Sequence, residues 1–438
     1  MVVVDDGELA ALLGDHAGRH SVPGAALGIL RNGTVSVACH GVADVRLREP
    51  VTPGTRFAVG SLTKSMVATV LARLAEAGRL SLDDPAVAHV PELVGSEWIG
   101  AVTLRDLLAN RSGLPLRARL EFDFDGRRDE SVDALSRMAA DIGDAGPPMD
   151  FWSYTNAGWN LLGRAIEGAT GLAWEDAMSR WLTDPGLRET SFGPSSDHGA
   201  RASGHTTTAA GPVPVKPLRG RAYGPAGVGT VSTVTDLLRF GAIHLDDSAL
   251  AALRVVHATQ AIHGWLDEWC LGWARFDWVG GQAWGWDGLV NGERSFLRIL
   301  PEQRAAVVLL TNSSSGRAMG RSLFTELMES LFGIGVPPLR LGAVTGAAGD
   351  LSRFAGVYAW PDRRIDVTVA GPGLTIRSGG GAAEALPVDE RIFVVDAADP
   401  DNPTVTFAGP DAAGRPRVLY DMLWGLPRIG EHDRRTGR

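Results

Sequence analysis

The sequence predicts an α+β protein in which a helical subdomain flanks an antiparallel β-sheet and a small β-barrel or sandwich follows. Strand-like patterns occur near both ends of the first 335 residues, and helical patterns fill the region between them. Short β runs separated by turns return after a Gly- and Pro-rich stretch. We therefore predict a first domain at 1–335, a linker at 336–350, a β-barrel domain at 351–430 and a disordered tail at 431–438.

The first half of the chain supplies a hairpin and most of the helices. Helical spacing predicts a helix over 5–19, and Asn32-Gly33 between two β-rich runs predicts a hairpin. The strongest helical pattern is SLTKSMVATVLARLAEAGRL, from 61 to 80. Further helical patterns cover 103–110, 130–141, 156–169 and 173–182, and the Gly-, Pro- and Thr-rich residues 193–230 predict surface loops.

The second half returns to strands. A helix with Ser232 or Thr233 as its N-cap precedes the strand patterns GWARFDW, SFLRIL and AAVVLLT, and the helix SLFTELMESLFG closes the first domain. Five β runs follow the linker: RIDVTV, GLTIRS, RIFVVD, TVTFAG and RVLYDM.

Composition excludes several classes of partner. The net charge is −9 with no basic stripe, which argues against nucleic acid and anionic membranes as partners. No run approaches about 20 apolar residues, and the N-terminus lacks a secretory pattern, so we expect a soluble, cytoplasmic protein. Two cysteines, Cys39 and Cys270, and ten histidines without ligand spacing indicate no metal site, and we expect no cofactor.

Ser61 and Lys64 are the first candidate catalytic pair. A spacing of three places both side chains on one face at the start of the strongest helix. A buried lysine can lose its proton near neutral pH and accept one from serine, whereas arginine stays charged. The chain has 42 Lys and Arg residues, and only Lys64 and Lys216 are lysines. A chain that uses arginine almost everywhere has lysine where a base is needed, which favours a nucleophilic serine over a solvated cap.

Two further segments complete a candidate site. Tyr154, one of four tyrosines, can relay protons, and Asn156 can orient a lysine and a substrate carbonyl. In Gly285-Trp286-Asp287-Gly288-Leu289, a glycine at the start of an edge strand allows a ligand to approach the backbone. The N–H groups of Ser61 and Leu289 could then form an oxyanion hole.

The S-x-x-K, Y-x-N and x-x-G motifs, in this order, resemble those of class C β-lactamases and penicillin-binding-protein-like serine enzymes. VPGAALGILRNG, TLRDLLANRSGLP and PAGVGTVSTVTDLLRF support the resemblance, although Asn110 stands where the family has histidine. It covers residues 8–335 and implies a β-lactamase/transpeptidase-like fold. It also implies that Ser61 is acylated, Lys64 is the general base, Tyr154 shuttles protons and Asn156 orients Lys64.

The resemblance leaves the substrate open. Trp286 and Asp287 replace the usual cation and small residue before Gly288, which disfavours a substrate carboxylate at this point. We assign Trp286, Asp287 and Gly288 to substrate binding. The C-terminal segment resembles a lipocalin-like barrel, whose Arg428 is a candidate for the substrate rim. Residues 115–133 are either a lid or a solvated charged face.

Three functions remain open from the sequence. The first is hydrolysis of an ester, an amide or a D-residue-containing peptide. The second is a penicillin-binding-protein-type thioesterase or transacylase that cyclises a nonribosomal peptide, whose partner would be a carrier-protein-bound peptidyl thioester. The third is a catalytically silent binding protein, which has no need of a lysine base.

Overall fold

A computed structural model of the chain describes residues 5–96, 99, 102–114, 118–121, 123, 131–143, 151–183, 186–193, 200–259, 261–344, 346–360, 362–399 and 401–430. The tail at 431–438, predicted to be disordered, lies outside the described residues, as does most of the 115–133 segment. Helices described here are α1 (Asp6–Arg19), α2 (Thr63–Glu76), α3 (Leu104–Leu108), α4 (Ala118–Glu121), α5 (Ala134–Gly143), α6 (Asn156–Thr170), α7 (Trp174–Thr183), α8 (Val234–Asp246) and α9 (Gly316–Phe332).

A seven-stranded antiparallel sheet forms the centre of the first domain. Its spatial order is β2-β1-β11-β10-β9-β8-β7, so strands from both ends of the domain meet in the middle, as predicted. The strands are β1 (Gly24–Arg31), β2 (Thr34–Gly41), β7 (Glu268–Trp269), β8 (Ala274–Trp278), β9 (Gly281–Val290), β10 (Glu293–Leu300) and β11 (Ala305–Thr311). Four short strands lie outside this sheet and form two pairs, β3 with β6 and β4 with β5. They are β3 (Phe57–Ala58), β4 (His205–Thr208), β5 (Gly211–Pro214) and β6 (Val231–Ser232).

The two faces of this sheet pack against different helices. A Cβ placed on Gly28 would touch Val234 and Leu238 of α8, so α8 covers one face. Phe296 on β10 contacts Phe324 of α9, so α9 covers the other. Since side chains alternate along a strand, neighbouring residues of β9 and β10 lie in two different environments.

The C-terminal domain is a closed barrel of eight strands in sequence order. They are β12 (Gly356–Trp360), β13 (Arg363–Ala370), β14 (Gly373–Ser378), β15 (Gly381–Pro387), β16 (Ile392–Val394), β17 (Thr404–Pro410), β18 (Pro416–Asp421) and β19 (Trp424–Ile429). The five predicted β runs match five of these strands; β12, β15 and β19 have weaker apolar alternation. The barrel has its own core around Phe354, Phe393 and Phe407, while Tyr420 and Leu423 pack on the core of the first domain.

Two sequence predictions need correction. Residues 193–230 are not all surface loops, because 221–228 are buried. Glycines allow this: a Cβ on Gly227 would lie 2.4 Å from the Gly60 carbonyl, so only glycine lets this segment pack on the chain beside Ser61. The Gly285–Leu289 motif is not the start of an edge strand, because it lies within β9 and two strands lie outside it.

No described helix combines the length and the apolar character needed to cross a bilayer. Cys39 and Cys270 are both free thiols.

Candidate active site

Ser61 lies in a short 3-10 turn, Gly60–Leu62, that leads directly into α2. Gly60 has a φ of +50°, and a Cβ there would lie 2.9 Å from the backbone nitrogen of Leu289. Glycine therefore permits both the left-handed backbone and the close approach to β9. As a result, the half-buried Ser61 lies between the start of a helix and the edge of a strand.

Lys64 lies one turn after Ser61 and is fully buried. Its Nζ lies 3.2 Å from Ser61 Oγ, 3.0 Å from Asn156 Oδ1 and 2.6 Å from the carbonyl oxygen of Ala226. A neutral amine has two N–H groups and one lone pair. If the two N–H groups donate to Asn156 and Ala226, the lone pair is left for the hydroxyl proton of Ser61.

Burial also changes the charge of Lys64. Desolvation lowers its pKa from 10.5 to about 7, and the nearby Glu121 carboxylate acts in the opposite direction. A substantial fraction of Lys64 is therefore neutral at pH 7, as a general base requires.

Tyr154 lies in a box of aromatic side chains. Its ring centroid is 5.6 Å from that of Trp286, 6.1 Å from Trp269 and 6.4 Å from Trp424. Trp286 Nε1 donates to the Tyr154 hydroxyl at 3.4 Å, and Ser61 is a second hydrogen-bond partner of that hydroxyl. Because burial raises the pKa of Tyr154, the phenol stays protonated and can donate to a leaving group.

Glu121 is a buried carboxyl beside the candidate pair Ser61 and Lys64, and the sequence interpretation missed it. Its carboxylate accepts from the Thr155 hydroxyl and from the Asn156 backbone N–H, each at 2.5 Å, and the Asn156 side chain donates to the Glu121 carbonyl at 3.0 Å. Desolvation raises the Glu121 pKa. Glu121 thus fixes the start of α6 and the amide that faces Lys64. Its position between Leu120 and Phe122 in the sequence was an available signal of burial.

The second half of β9 forms an open edge beside Ser61. Strand β8 pairs with β9 only over 281–285, which leaves 286–290 uncovered on that side. A Cβ on Gly288 would lie 1.8 Å from the Val59 carbonyl oxygen, so this residue must be glycine for β9 to approach the turn that carries Ser61. Ser295 Oγ holds the same carbonyl from β10, donating at 2.7 Å. This arrangement brings the Leu289 backbone next to Gly60, as an oxyanion hole built from Ser61 and Leu289 requires.

The barrel contributes directly to the position of Tyr154. The Tyr154 backbone N–H donates to the Leu423 carbonyl at 3.1 Å, and the Gly425 N–H donates to Ser153 Oγ at 3.0 Å. Tyr420 donates to the Trp152 carbonyl at 2.6 Å. The turn between β18 and β19 therefore holds the segment that carries the predicted proton relay.

The other residues predicted to bind substrate have different surroundings from those expected. Trp286 is only 2% exposed and packs against Tyr154, so it has little surface to offer a substrate. Asp287 points to the α9 face and pairs with Arg298 at 2.6 Å; the structure does not bring it to Ser61. Arg428 donates to the carbonyls of Arg353 and Ala355 in its own domain. Asn110 adopts a φ of +53° and accepts from the indole N–H of Trp159, a role in backbone geometry.

Among the described residues, no group of three or more His, Cys, Asp and Glu side chains could hold a metal ion.

Comparison with known proteins identifies the family. Residues 9–330 match the Beta-lactamase family. Penicillin-binding protein 4 of Amycolatopsis lactamdurans is 31% identical over 360 residues, which cover 77% of this chain and 93% of that protein. The solved structure of SurE superposes with a TM-score of 0.80 at 28% identity, covering 97% of this chain and 99% of SurE, and a second SurE structure contains D-Leu.

A D-amino acid amidase from Ochrobactrum anthropi shares the fold with a TM-score of 0.60 at 23% identity, over 70% of this chain and 91% of that one. SurE matches nearly the whole chain, whereas the amidase match leaves 30% of it uncovered. The family match covers most of the chain and agrees with the antiparallel sheet of the first domain, so the chain belongs to the Beta-lactamase family of penicillin-binding-protein-like serine hydrolases.

Proposed function

We propose that the chain forms an acyl-Ser61 intermediate and cleaves an ester, amide or peptide bond next to a D-residue. The three contacts of the buried Lys64 amine carry the proposal, because they direct its lone pair at the Ser61 hydroxyl. The D-residue rests on the SurE structure that contains D-Leu.

The proposed acylation follows from this geometry. Lys64 takes the Ser61 proton as Oγ attacks the carbonyl carbon, and the N–H groups of Ser61 and Leu289 stabilise the oxyanion. Tyr154 then gives its proton to the leaving group, and the proton held by Lys64 restores the phenol. In deacylation, neutral Lys64 withdraws the phenol proton of Tyr154 as Tyr154 takes the proton of the incoming nucleophile. Lys64 then gives its extra proton to Ser61 Oγ as the acyl–oxygen bond breaks, so that Ser61 leaves as the free hydroxyl.

A second candidate is a thioesterase that cyclises a peptide delivered on a carrier protein. One observation favours it: Tyr154 is enclosed by Trp269, Trp286 and the barrel residue Trp424, and an apolar surround limits the access of water to the acyl-enzyme. An amine at the far end of the same peptide would then compete well with water.

A fluorophosphonate probe tests the acylation step. We expect the probe to label the wild type on Ser61 and to leave Ser61→Ala unlabelled, as read by intact-protein mass spectrometry. Equal labelling of both proteins would overturn the proposed nucleophile. An absence of label and of turnover on a panel of esters, amides and thioesters would instead support the silent binding protein.

Product analysis then separates the two acceptors. A peptidyl thioester mimic ending in a D-residue, offered to the wild type, yields linear acid if water is the acceptor and cyclic peptide if the terminal amine is. A matched mimic ending in the L-residue tests the stereochemical part of the proposal, and equal rates for the two would contradict it.

A further inference from the structure

A second cavity lies behind the sheet, on the face opposite Trp286. Its volume is about 290 Å³, close to the lower end of the range of about 300–1,000 Å³ for ligand sites. Strands β8, β9 and β10, helix α9 and residues 336–340 enclose it. Its apolar walls are the rings Trp265, Trp278, Phe276, Phe296 and Phe324.

The lining of this cavity is rich in arginine. Five arginines line it, against two carboxylates, Asp267 and Asp287; the arginines are Arg298, Arg317, Arg321, Arg340 and Arg391. Asp287 pairs with Arg298, and Asp389 lies 3.0 Å from Arg340. Arg298 and Arg317 are the buried members of this set, and Arg340 is exposed. Buried charges normally have partners, so two buried arginines beside a single ion-paired carboxylate indicate an anion that binds in this aromatic cavity.

The hydrogen bonds of two arginines support this reading. Arg317 is 7% exposed, stacks at 3.4 Å on Trp265 and donates one bond to the Gly264 carbonyl. Within the described residues, its Nε is buried without a partner, and so is the Nε of Arg298. Burial lowers the pKa of Arg317 to about 9, which still leaves it charged at neutral pH. Two charged groups therefore have buried donors available at one cavity.

We propose that this cavity binds a small molecule that carries a carboxylate or phosphate on a planar apolar body. Guanidinium groups match the paired oxygens of both anions, and the aromatic walls suit a flat apolar group. The site is separate from the catalytic one, since Asp287 and Trp286 point to opposite faces of β9.

Isothermal titration calorimetry with phenyl phosphate and phenylacetate tests the proposal. We expect at least one probe to bind the full-length chain at one site, and Ser61→Ala to bind it equally. Tighter binding of phenyl phosphate assigns phosphomonoesters as the ligand class, and tighter binding of phenylacetate assigns carboxylates. Benzylamine, which has a similar body and the opposite charge, should not bind.

Variants locate the binding site. Arg317→Gln and the rim variant Arg391→Gln should each weaken binding about tenfold or more, the loss expected for one charged hydrogen bond. Arg304→Gln, at a largely exposed arginine outside the cavity, should bind like the wild type. If Arg317→Gln does not fold, the partly exposed Arg391 alone decides the test.

Three results would overturn the proposal. The first is that neither probe produces heat of binding at millimolar concentration. The second is that the Arg391→Gln and Arg304→Gln proteins bind the probe with equal affinity. The third is that inorganic phosphate binds as tightly as phenyl phosphate. The last would show that the aromatic walls contribute nothing.

Discussion

The two faces of strand β9 bury different basic side chains, a lysine on one face and arginines on the other. On the face of Trp286 the buried cation is Lys64, surrounded by aromatic rings and one carboxyl, Glu121. On the face of Asp287 the buried cations are arginines, among them Arg298 and Arg317. A lysine responds to burial by releasing its proton, whereas an arginine keeps its charge and needs an anion. In the two proposals made above, the same loss of water produces a base on one face and an anion site on the other.

Replacement of Lys64 by arginine tests this contrast most directly, and it should have the largest effect. Lys64→Arg keeps the positive charge but cannot accept the Ser61 proton at neutral pH, so we expect the acylation rate to fall by about 10³-fold. Stopped-flow or quenched-flow measurement of probe acylation gives that rate. Lys216→Arg, at the exposed second lysine, is the matched control and should react normally. Near-normal acylation in Lys64→Arg would remove Lys64 as the base.

Loss of the Tyr154 hydroxyl should have the next largest effect, and the effect should depend on the leaving group. Tyr154→Phe preserves the aromatic box but removes the proton donor, so amide cleavage should slow by about 10²-fold or more. A p-nitrophenyl ester needs little protonation of its leaving group and should be affected much less at the acylation step. Steady-state and burst kinetics on the two substrates provide the comparison.

Tyr358→Phe is the control for this prediction, since Tyr358 is also buried but donates to Phe354 within the barrel. An equal loss on both substrates would mean that the Tyr154 hydroxyl acts on something other than the leaving group.

Features set by neighbouring residues could be predicted from the sequence, whereas features set by distant segments could not. The α+β fold and the meeting of strands from both ends of the first domain in one sheet were predicted from local periodicity. The pair Ser61 and Lys64 was predicted from spacing and residue choice. Glu121 was harder to identify, because its importance depends on the start of α6, which is 35 residues away in the chain. Asp287 was assigned to the substrate because it occupies the middle position of the motif that resembles the family's third motif, between Trp286 and Gly288. The motif was predicted to begin an edge strand, whereas it lies within β9, and the alternation of side chains along β9 places Asp287 on the face opposite Trp286.

Removal of the Asp287 charge examines the arginine face, with an intermediate effect on stability. Asp287→Asn leaves Arg298 largely buried without its ion-pair partner, which we expect to cost about 3 kcal/mol of unfolding free energy. A lower melting temperature in scanning fluorimetry would show this loss. Phenyl phosphate should restore part of it, because a bound anion takes the place of the missing carboxylate.

Asp246→Asn, which breaks an exposed pair with Arg304, is the control and should change stability little. If the Asp287→Asn variant melts at the same temperature as the wild type, the buried Arg298 does not need Asp287 as an ion-pair partner for the stability of the fold.

The smallest expected effect is a shift in pH dependence that arises from Glu121. The negative carboxylate favours the protonated form of Lys64 and so raises its pKa, against the larger effect of burial. Glu121→Gln removes that charge, so the Lys64 pKa should fall and more of the amine should be neutral at a given pH below 7. The acid limb of the acylation rate should therefore move to lower pH.

The shift should be modest, because the raised pKa of Glu121 means that this carboxyl already gains protons as the pH falls through the same range. Glu293→Gln is the matched control: Glu293 is another buried carboxyl, with a pKa raised to about 8, but it is not among the groups that act on Lys64. The acid limb of the acylation rate should not move in Glu293→Gln. A limb that stays in place or moves to higher pH in Glu121→Gln would mean that Glu121 acts on Lys64 through the position of Asn156 and not through its charge. The buried lysine would then owe its reactivity to desolvation alone.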